Sequence, residues 1–248
     1  MLHLTKNGRW LLLSTHDYIK AAKGMVAFDT AATRFLPGAP QRLPCDKPQI
    51  ASATSGAIVA VCASEAVDLT PTGNAGPDFS AKAGVRLGLA DDVMATAMTP
   101  DGQHVYALSG YREDAAWQLA HWNLNTNTVE IRDLRTEFGL SGSDADASRQ
   151  AWLDISVDGA WMGVATGRKA WIVARDCLCR GQRYTYNMPV RGAAFSSDGH
   201  SLITLHAQQA PQRLEIAIGA VASKDLRRIA IDWFRSITPL TFAVAPAP

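Results

Sequence analysis

"MTPDGQHVYALSG" (residues 98–110) sets a polar Pro-Asp-Gly turn between two apolar segments, and the same layout returns twice downstream. "ISVDGAWMGVATG" (155–167) and "FSSDGHSLITLHA" (195–207) carry an Asp-Gly pair between flanks of the same kind. Upstream, "LTKNGRWLLLST" places Asn7-Gly8 before a hydrophobic run, and "ASATSGAIVAVCAS" does so with Ser55-Gly56. The glycines at 8, 56, 102, 159 and 199 are therefore 48, 46, 57 and 40 residues apart. A recurrence at that period reads as one supersecondary unit written five times.

Each copy has the chemistry of a hairpin. Asp-Gly and Asn-Gly accept the positive φ angles of a tight two-residue turn, whose twist matches that of the flanking strands. Asn7, Gly8, Asp101, Gly102, Asp158, Gly159, Asp198 and Gly199 are accordingly expected as structural turns. The flanks "MATAM" and "HVYALSG", "WLDIS" and "WMGVATG", "GAAFS" and "SLITLHA" alternate or run apolar, as short buried strands do. A third strand follows in each repeat, as in "GMVAFDTAAT", "WQLAHWNLNT" and "RLEIAIG". A more polar fourth strand follows at 129–134, 183–188 and 227–231, and is poorly defined in the first two repeats.

Four antiparallel strands with apolar inner members and a wetter outer one make the blade of a β-propeller. The expected fold class is thus all-β: about five four-stranded antiparallel blades, in a ring either closed atypically or left incomplete. The repeats span roughly 1–44, 45–90, 91–148, 149–189 and 190–236, followed by a tail at 237–248. That tail holds a candidate ring-closing strand at 240–244 and a Pro-rich end. Alternatively, the five repeats belong to a larger ring completed by another chain or by residues upstream. A β-sandwich that happens to use Asp-Gly turns is the simpler competitor, but strand order and spacing recur together here.

The x-Ser-x-Asp-Gly unit between strands, followed by a strand ending in Asp-Thr or Asn-Leu-Asn-Thr, resembles the WD-repeat-like and YVTN-type propeller families. The resemblance covers most of the chain at repeat level. It is strong in the third to fifth repeats and weak in the second, which has Ser55-Gly56 and no aspartate. The Trp-Asp dipeptide of true WD repeats is absent, so the likeness is to the looser bacterial-type repeats.

Composition narrows the partners. Lys and Arg total 24 against 23 Asp and Glu, and the resulting net charge of +1 gives no reason to expect nucleic acid or an anionic membrane. No apolar run approaches the ~18 residues of a membrane span, and the run at 10–13 is too short for a signal-peptide core of roughly 7 to 15 residues. A cytoplasmic location is expected on that basis. Cys45 and Cys62 would pair in an oxidising compartment, though nothing in their spacing demands it. Cys177 and Cys179 are expected as small apolar neighbours on one face of a strand rather than as metal ligands.

No G-x-S-x-G elbow, H-E-x-x-H pair or Walker loop is present. "GLSGSDADASRQ" (139–150) offers Asp144 and Asp146 but lacks the glycine and glutamate of a calcium-binding loop. No cofactor and no metal are expected. His104 and His200 sit one or two residues past a turn glycine and are expected as solvated turn positions.

The repeat does sort loops by end. Connections after the second strand lie opposite the Asp-Gly turns and gather His16, Asp17 and Tyr18, then Tyr111, Arg112 and Asp114, then Arg168 and Lys169, and finally His206. Tyr and Arg are the residues that most often anchor protein contacts, and loops on rigid scaffolds are where function concentrates. The expected function is a non-catalytic scaffold for protein–protein contact, a subunit of a larger bacterial assembly, with oligomeric state left open. The alternative is a propeller hydrolase, a lactonase or glycosidase, using carboxylates at the channel mouth.

Overall fold

The structure, a computed structural model, describes residues 2–17, 22–36, 43, 48–71, 76–77, 84–110, 117–134, 138, 150–208 and 213–231. It is a β-propeller of five four-stranded antiparallel blades. Blade one holds β1 (Leu2–Leu4), β2 (Trp10–Asp17), β3 (Ala22–Asp29) and β4 (Arg34–Phe35). Blade two holds β5 (Gln49–Ser52), β6 (Ile58–Val61), β7 (Glu65–Asp68) and β8 (Val85–Arg86). Blade three holds β9 (Val93–Met98), β10 (His104–Ser109), β11 (Gln118–Asn123) and β12 (Thr128–Asp133). Blade four holds β13 (Ala151–Ile155), β14 (Trp161–Thr166), β15 (Lys169–Ala174) and β16 (Cys179–Thr185). Blade five holds β17 (Val190–Phe195), β18 (Ser201–Gln208), β19 (Arg213–Ala220) and β20 (Leu226–Ile231). Strands follow one another in sequence order across every sheet, as a chain of hairpins dictates. The fourth strands of the first two blades are only two residues long, which is why their sequence signal is faint.

The repeated glycines all close the first hairpin of their blade, with φ of 70, 101, 77, 73 and 73° at Gly8, Gly56, Gly102, Gly159 and Gly199. The turn is not the two-residue form expected from Asp-Gly. Gly102 N–H donates to the Thr99 carbonyl (2.9 Å) and Thr99 N–H to the His104 carbonyl (3.0 Å), which leaves a four-residue loop. Pro100 and Asp101 are then the central residues of a turn whose fourth position, Gly102, alone needs positive φ.

A side-chain relay fixes this loop. The Thr99 hydroxyl donates to the Asp101 carboxylate (2.5 Å) and accepts from His104 N–H (3.1 Å), while Asp101 accepts from Gln103 N–H (3.0 Å). Ser156 with Asp158 and Ser196 with Asp198 repeat the relay, each at 2.5 Å, and Thr5 with Asn7 repeats it at 2.7 Å. Blade two has Ala53 where the hydroxyl would stand, and its loop is one residue shorter, with Ala53 N–H bonded directly to the Ala57 carbonyl at 2.9 Å.

Apolar faces pack blade against blade. Trp10, Leu12, Met25 and Ala27 meet Ile50, Ile58, Val67 and Leu69 between blades one and two. Val59, Val61 and Leu87 meet Met98, Val105, Ala107 and Trp122 between blades two and three. Ala165, Ile172 and Tyr184 meet Phe195, Leu202 and Ala217 between blades four and five. Each fully buried Leu, Ile or Val contributes roughly 1.5–3 kcal/mol, so these seams dominate stability. Hydrogen bonds set their register: Ser52 Oγ accepts from Lys6 N–H (3.0 Å), Thr54 Oγ1 donates to the Pro100 carbonyl (3.1 Å), and Asp154 accepts from Phe195 N–H (2.9 Å).

By packing, the chain forms two compact units, one of Met1–Ser109 with Ala120–Ile131, the other of Gly110–Leu119 with Arg132–Pro248. The expected closing strand at 240–244 lies outside the described residues.

Candidate functional site

Within each blade the connection between second and third strands lies at the end opposite the glycine turn, because the two hairpins alternate in direction. In blade one, β2 and β3 pair up to Asp17 with Ala22, with His16 opposite Lys23. Tyr18, Tyr111, Arg112 and Asp114 lie outside the described residues. In blade four the connection is the two-residue turn Gly167-Arg168, with Gly167 at φ 53°. Arg168 is exposed and its carbonyl accepts from Tyr186 N–H (2.8 Å), while Lys169, the first residue of β15, is half-buried.

His16 and Asp17 end β2 and Lys169 opens β15 rather than lying in loops, and His206 departs furthest. Expected in a loop, it lies inside β18, which runs on to Gln208, and has no exposed surface. Its Nδ1 is 3.2 Å from the Met188 carbonyl and its Nε2 2.8 Å from Thr204 Oγ1. A carbonyl only accepts, so Nδ1 carries a proton toward Met188, and Nε2 shares its hydrogen bond with the Thr204 hydroxyl. The Tyr186 ring packs against the imidazole at 4.1 Å between centroids. Burial pushes the Tyr186 phenol up to about 12, against the opposing influence of the Thr204 hydroxyl. Burial likewise holds the His206 imidazole below its usual range, against the opposing pull of Met188 and Glu215. The imidazole is thus held between the Thr204 hydroxyl and the Met188 carbonyl, with the Tyr186 ring against its face.

Glu215 sits opposite His206 in the β18–β19 register, is 7% exposed and reaches Arg228 at 3.8 Å. Below it, the Tyr184 hydroxyl donates to the carbonyls of Ala220 (2.8 Å) and Ser223 (3.1 Å), tying blade four to the outer hairpin of blade five. A histidine without exposed surface touches no solute. This cluster orients the seam between blades four and five and the turns at its rim, Gly167-Arg168 among them. Spacing gave one usable signal for it: Thr204 and His206 are two apart and so share a face of their strand.

A second histidine pair lies in blade three. His104 Nδ1 and His121 Nε2 are 2.9 Å apart, and Tyr106 stacks on the His121 ring at 4.7 Å and 7°. His104 is thus half-buried at the start of β10 and partnered, not a solvated turn residue; His200 is exposed in its turn as expected. Among the described residues no three His, Cys, Asp or Glu side chains converge to hold a metal.

The cysteines also differ from expectation. Cys177 lies in the turn between β15 and β16, Cys179 opens β16, and the two form a disulfide. Cys62 is disulfide-bonded as well, and Cys45 lies outside the described residues.

No protein-family model matches the sequence, and no curated protein matches it. Solved structures do share the fold. A chain in the crystal structure of a mitotic checkpoint complex is similar at a TM-score of 0.58 and 11% identity, over 95% of this chain and 67% of that one. Kuenenia stuttgartiensis hydrazine synthase is similar at a TM-score of 0.60 and 11% identity, over 92% of this chain and 64% of that one. The chain therefore spans about two thirds of the length of both. At such identity the likeness speaks to architecture alone. No helix among the described residues is long and apolar enough to cross a membrane.

Proposed function

We propose that this chain is a non-catalytic propeller scaffold that binds another protein and serves as a subunit of a larger assembly. The contact surface includes the Gly167-Arg168 turn of blade four, at the end opposite its glycine turn, with Lys169 beside it. The observation that carries this reading is the division of labour between the two ends of blade four. Its glycine-turn end is fixed by the Ser156–Asp158 relay, while its other end presents the exposed, charged Arg168 on a rigid base, the arrangement binding loops favour. That a protein of this fold is part of a mitotic checkpoint complex lends support at the level of architecture.

The test is purification of the tagged chain from its native host, followed by size-exclusion chromatography and mass spectrometry. A stoichiometric partner should co-elute, and a variant carrying Arg168→Ala and Lys169→Ala should lose it while melting like the parent. A monomer without a stoichiometric partner would overturn the proposal. Where the chain works is tied to its cysteines: persistent bridges fit an oxidising compartment, and a cytoplasmic home requires that they be reduced or transient.

A further inference from the structure

The outer hairpins of blades one, three and four share one backbone form. Each carries a non-glycine residue in the left-handed region just before its fourth strand: Thr33 (φ 52°), Asn127 (φ 55°) and Leu178 (φ 52°). Aligned on that residue, Ala32, Thr126 and Cys177 precede it, and Arg34, Thr128 and Cys179 follow it. In blade three the flanking side chains meet without a covalent bond, the Thr126 and Thr128 hydroxyls being hydrogen-bonded at 2.7 Å. In blade four the same two positions hold the Cys177–Cys179 disulfide, with Cα atoms 5.1 Å apart. The hairpin, not the bridge, is what brings such side chains together.

Two further observations separate this bridge from a structural one. A disulfide constrains the unfolded chain more as the loop it closes lengthens, and only Leu178 lies between these cysteines. The turn keeps its own bonds either way, since Leu178 N–H donates to the Ala174 carbonyl (2.8 Å) and Ala174 pairs with Cys179. Both cysteines are exposed, so an external thiolate can reach either sulfur. Cys62, also disulfide-bonded, is by contrast 2% exposed.

We propose that Cys177–Cys179 is a thiol–disulfide exchange site, held in geometry by the hairpin, whose reactants are accessible thiols and disulfides of other molecules. In the reducing direction, a thiolate of an external dithiol attacks one sulfur. The Cys177–Cys179 bond breaks, its electron pair leaves on the second cysteine, and that thiolate takes a proton from water. The second thiol of the external molecule, deprotonated, then attacks the mixed disulfide. It releases the remaining cysteine as thiolate and leaves the external molecule as a disulfide, two electrons poorer. The reverse sequence returns the bridge. This proposal stands apart from the scaffold reading, and either can fail without the other.

The experiment equilibrates the full-length chain in glutathione buffers of graded reduced-to-oxidised ratio, traps thiols with a maleimide, and reads each cysteine by peptide mass spectrometry. Cys177 and Cys179 should pass from disulfide to dithiol and back over ratios at which Cys62 stays bonded. The form reduced only there should melt within about 3 °C of the oxidised form. A double variant, Thr126→Cys with Thr128→Cys, should bond in the same buffers. Opening of Cys177–Cys179 only together with Cys62, or only in denaturant, would overturn the proposal, and so would failure of the blade-three pair to bond.

Discussion

Ser156 donates to Asp158 at 2.5 Å and accepts from Trp161 N–H at 2.9 Å, so one hydroxyl holds a carboxylate and a strand's first amide in place. Ser156→Ala should destabilise the fold by about 1–2 kcal/mol, read as a lower urea midpoint with unchanged slope. The turn glycines are not equivalent either. A Cβ at Gly102 would lie 2.6 Å from Ala57 Cβ and 2.7 Å from Ser55 Oγ, whereas a Cβ at Gly8 meets nothing within 4 Å. Gly8→Ala should therefore cost about 1 kcal/mol of backbone strain, and Gly102→Ala clearly more, in the same urea series. The Asp-Gly pair was legible because glycine marks positive φ wherever it recurs. The loop length was not, because a four-residue loop and a two-residue turn both display Asp-Gly. What distinguishes them is the Ser or Thr three residues before the glycine, whose hydroxyl reaches across the loop to the amide of the returning strand.

At the scale of the element, the seam between blades four and five rests on side chains that cross from one sheet to the next. Tyr184 is the clearest, its hydroxyl shared by the Ala220 and Ser223 carbonyls. Tyr184→Phe keeps the ring and orphans both acceptors, and should cost about 1–2 kcal/mol by thermal or urea unfolding. Strand content was readable from alternation, since "SLITLHA" and "RLEIAIG" show it openly. Strand ends were not, and that moved His206 from a rim to an interior. A polar residue after an apolar run looks like a loop, yet β18 continues to Gln208 because Thr204 and Met188 satisfy the imidazole inside the seam and the Tyr186 ring packs against it. The cysteines misled in the opposite sense. C-x-C on a strand puts both thiols on one face, but Leu178 turns into the left-handed region, which no propensity for leucine announces.

Over the whole molecule, the groups with displaced titration push stability in the same direction at each end of the pH scale. His3, bonded to Ser52 at 3.1 Å, is lowered to about 4 by burial and then by Lys6, and burial lowers His206 too. An unfolded histidine takes its proton near 6.5. Between about 6.5 and 4 the unfolded chain therefore binds protons that the fold refuses, and stability falls as pH falls through that window. Hydrogen bonds from Arg9 to Asp29, Ser156 to Asp158 and Ser196 to Asp198 hold those carboxyls below their ordinary range, so their contribution goes at still lower pH. On the alkaline side Tyr186, raised to about 12, keeps its proton while an unfolded tyrosine loses one near 10, and stability declines as pH rises between the two. The melting temperature should thus form a plateau with shoulders near pH 6.5 and pH 10. His3→Gln separates this account from general acid unfolding. It removes one titrating group from the acid limb and leaves the alkaline limb alone, so the loss between pH 6.5 and 4 should shrink by on the order of 1–3 kcal/mol. A variant whose acid limb overlays that of the parent would show that His3 titrates normally in the fold, and the acid shoulder would then have to come from elsewhere.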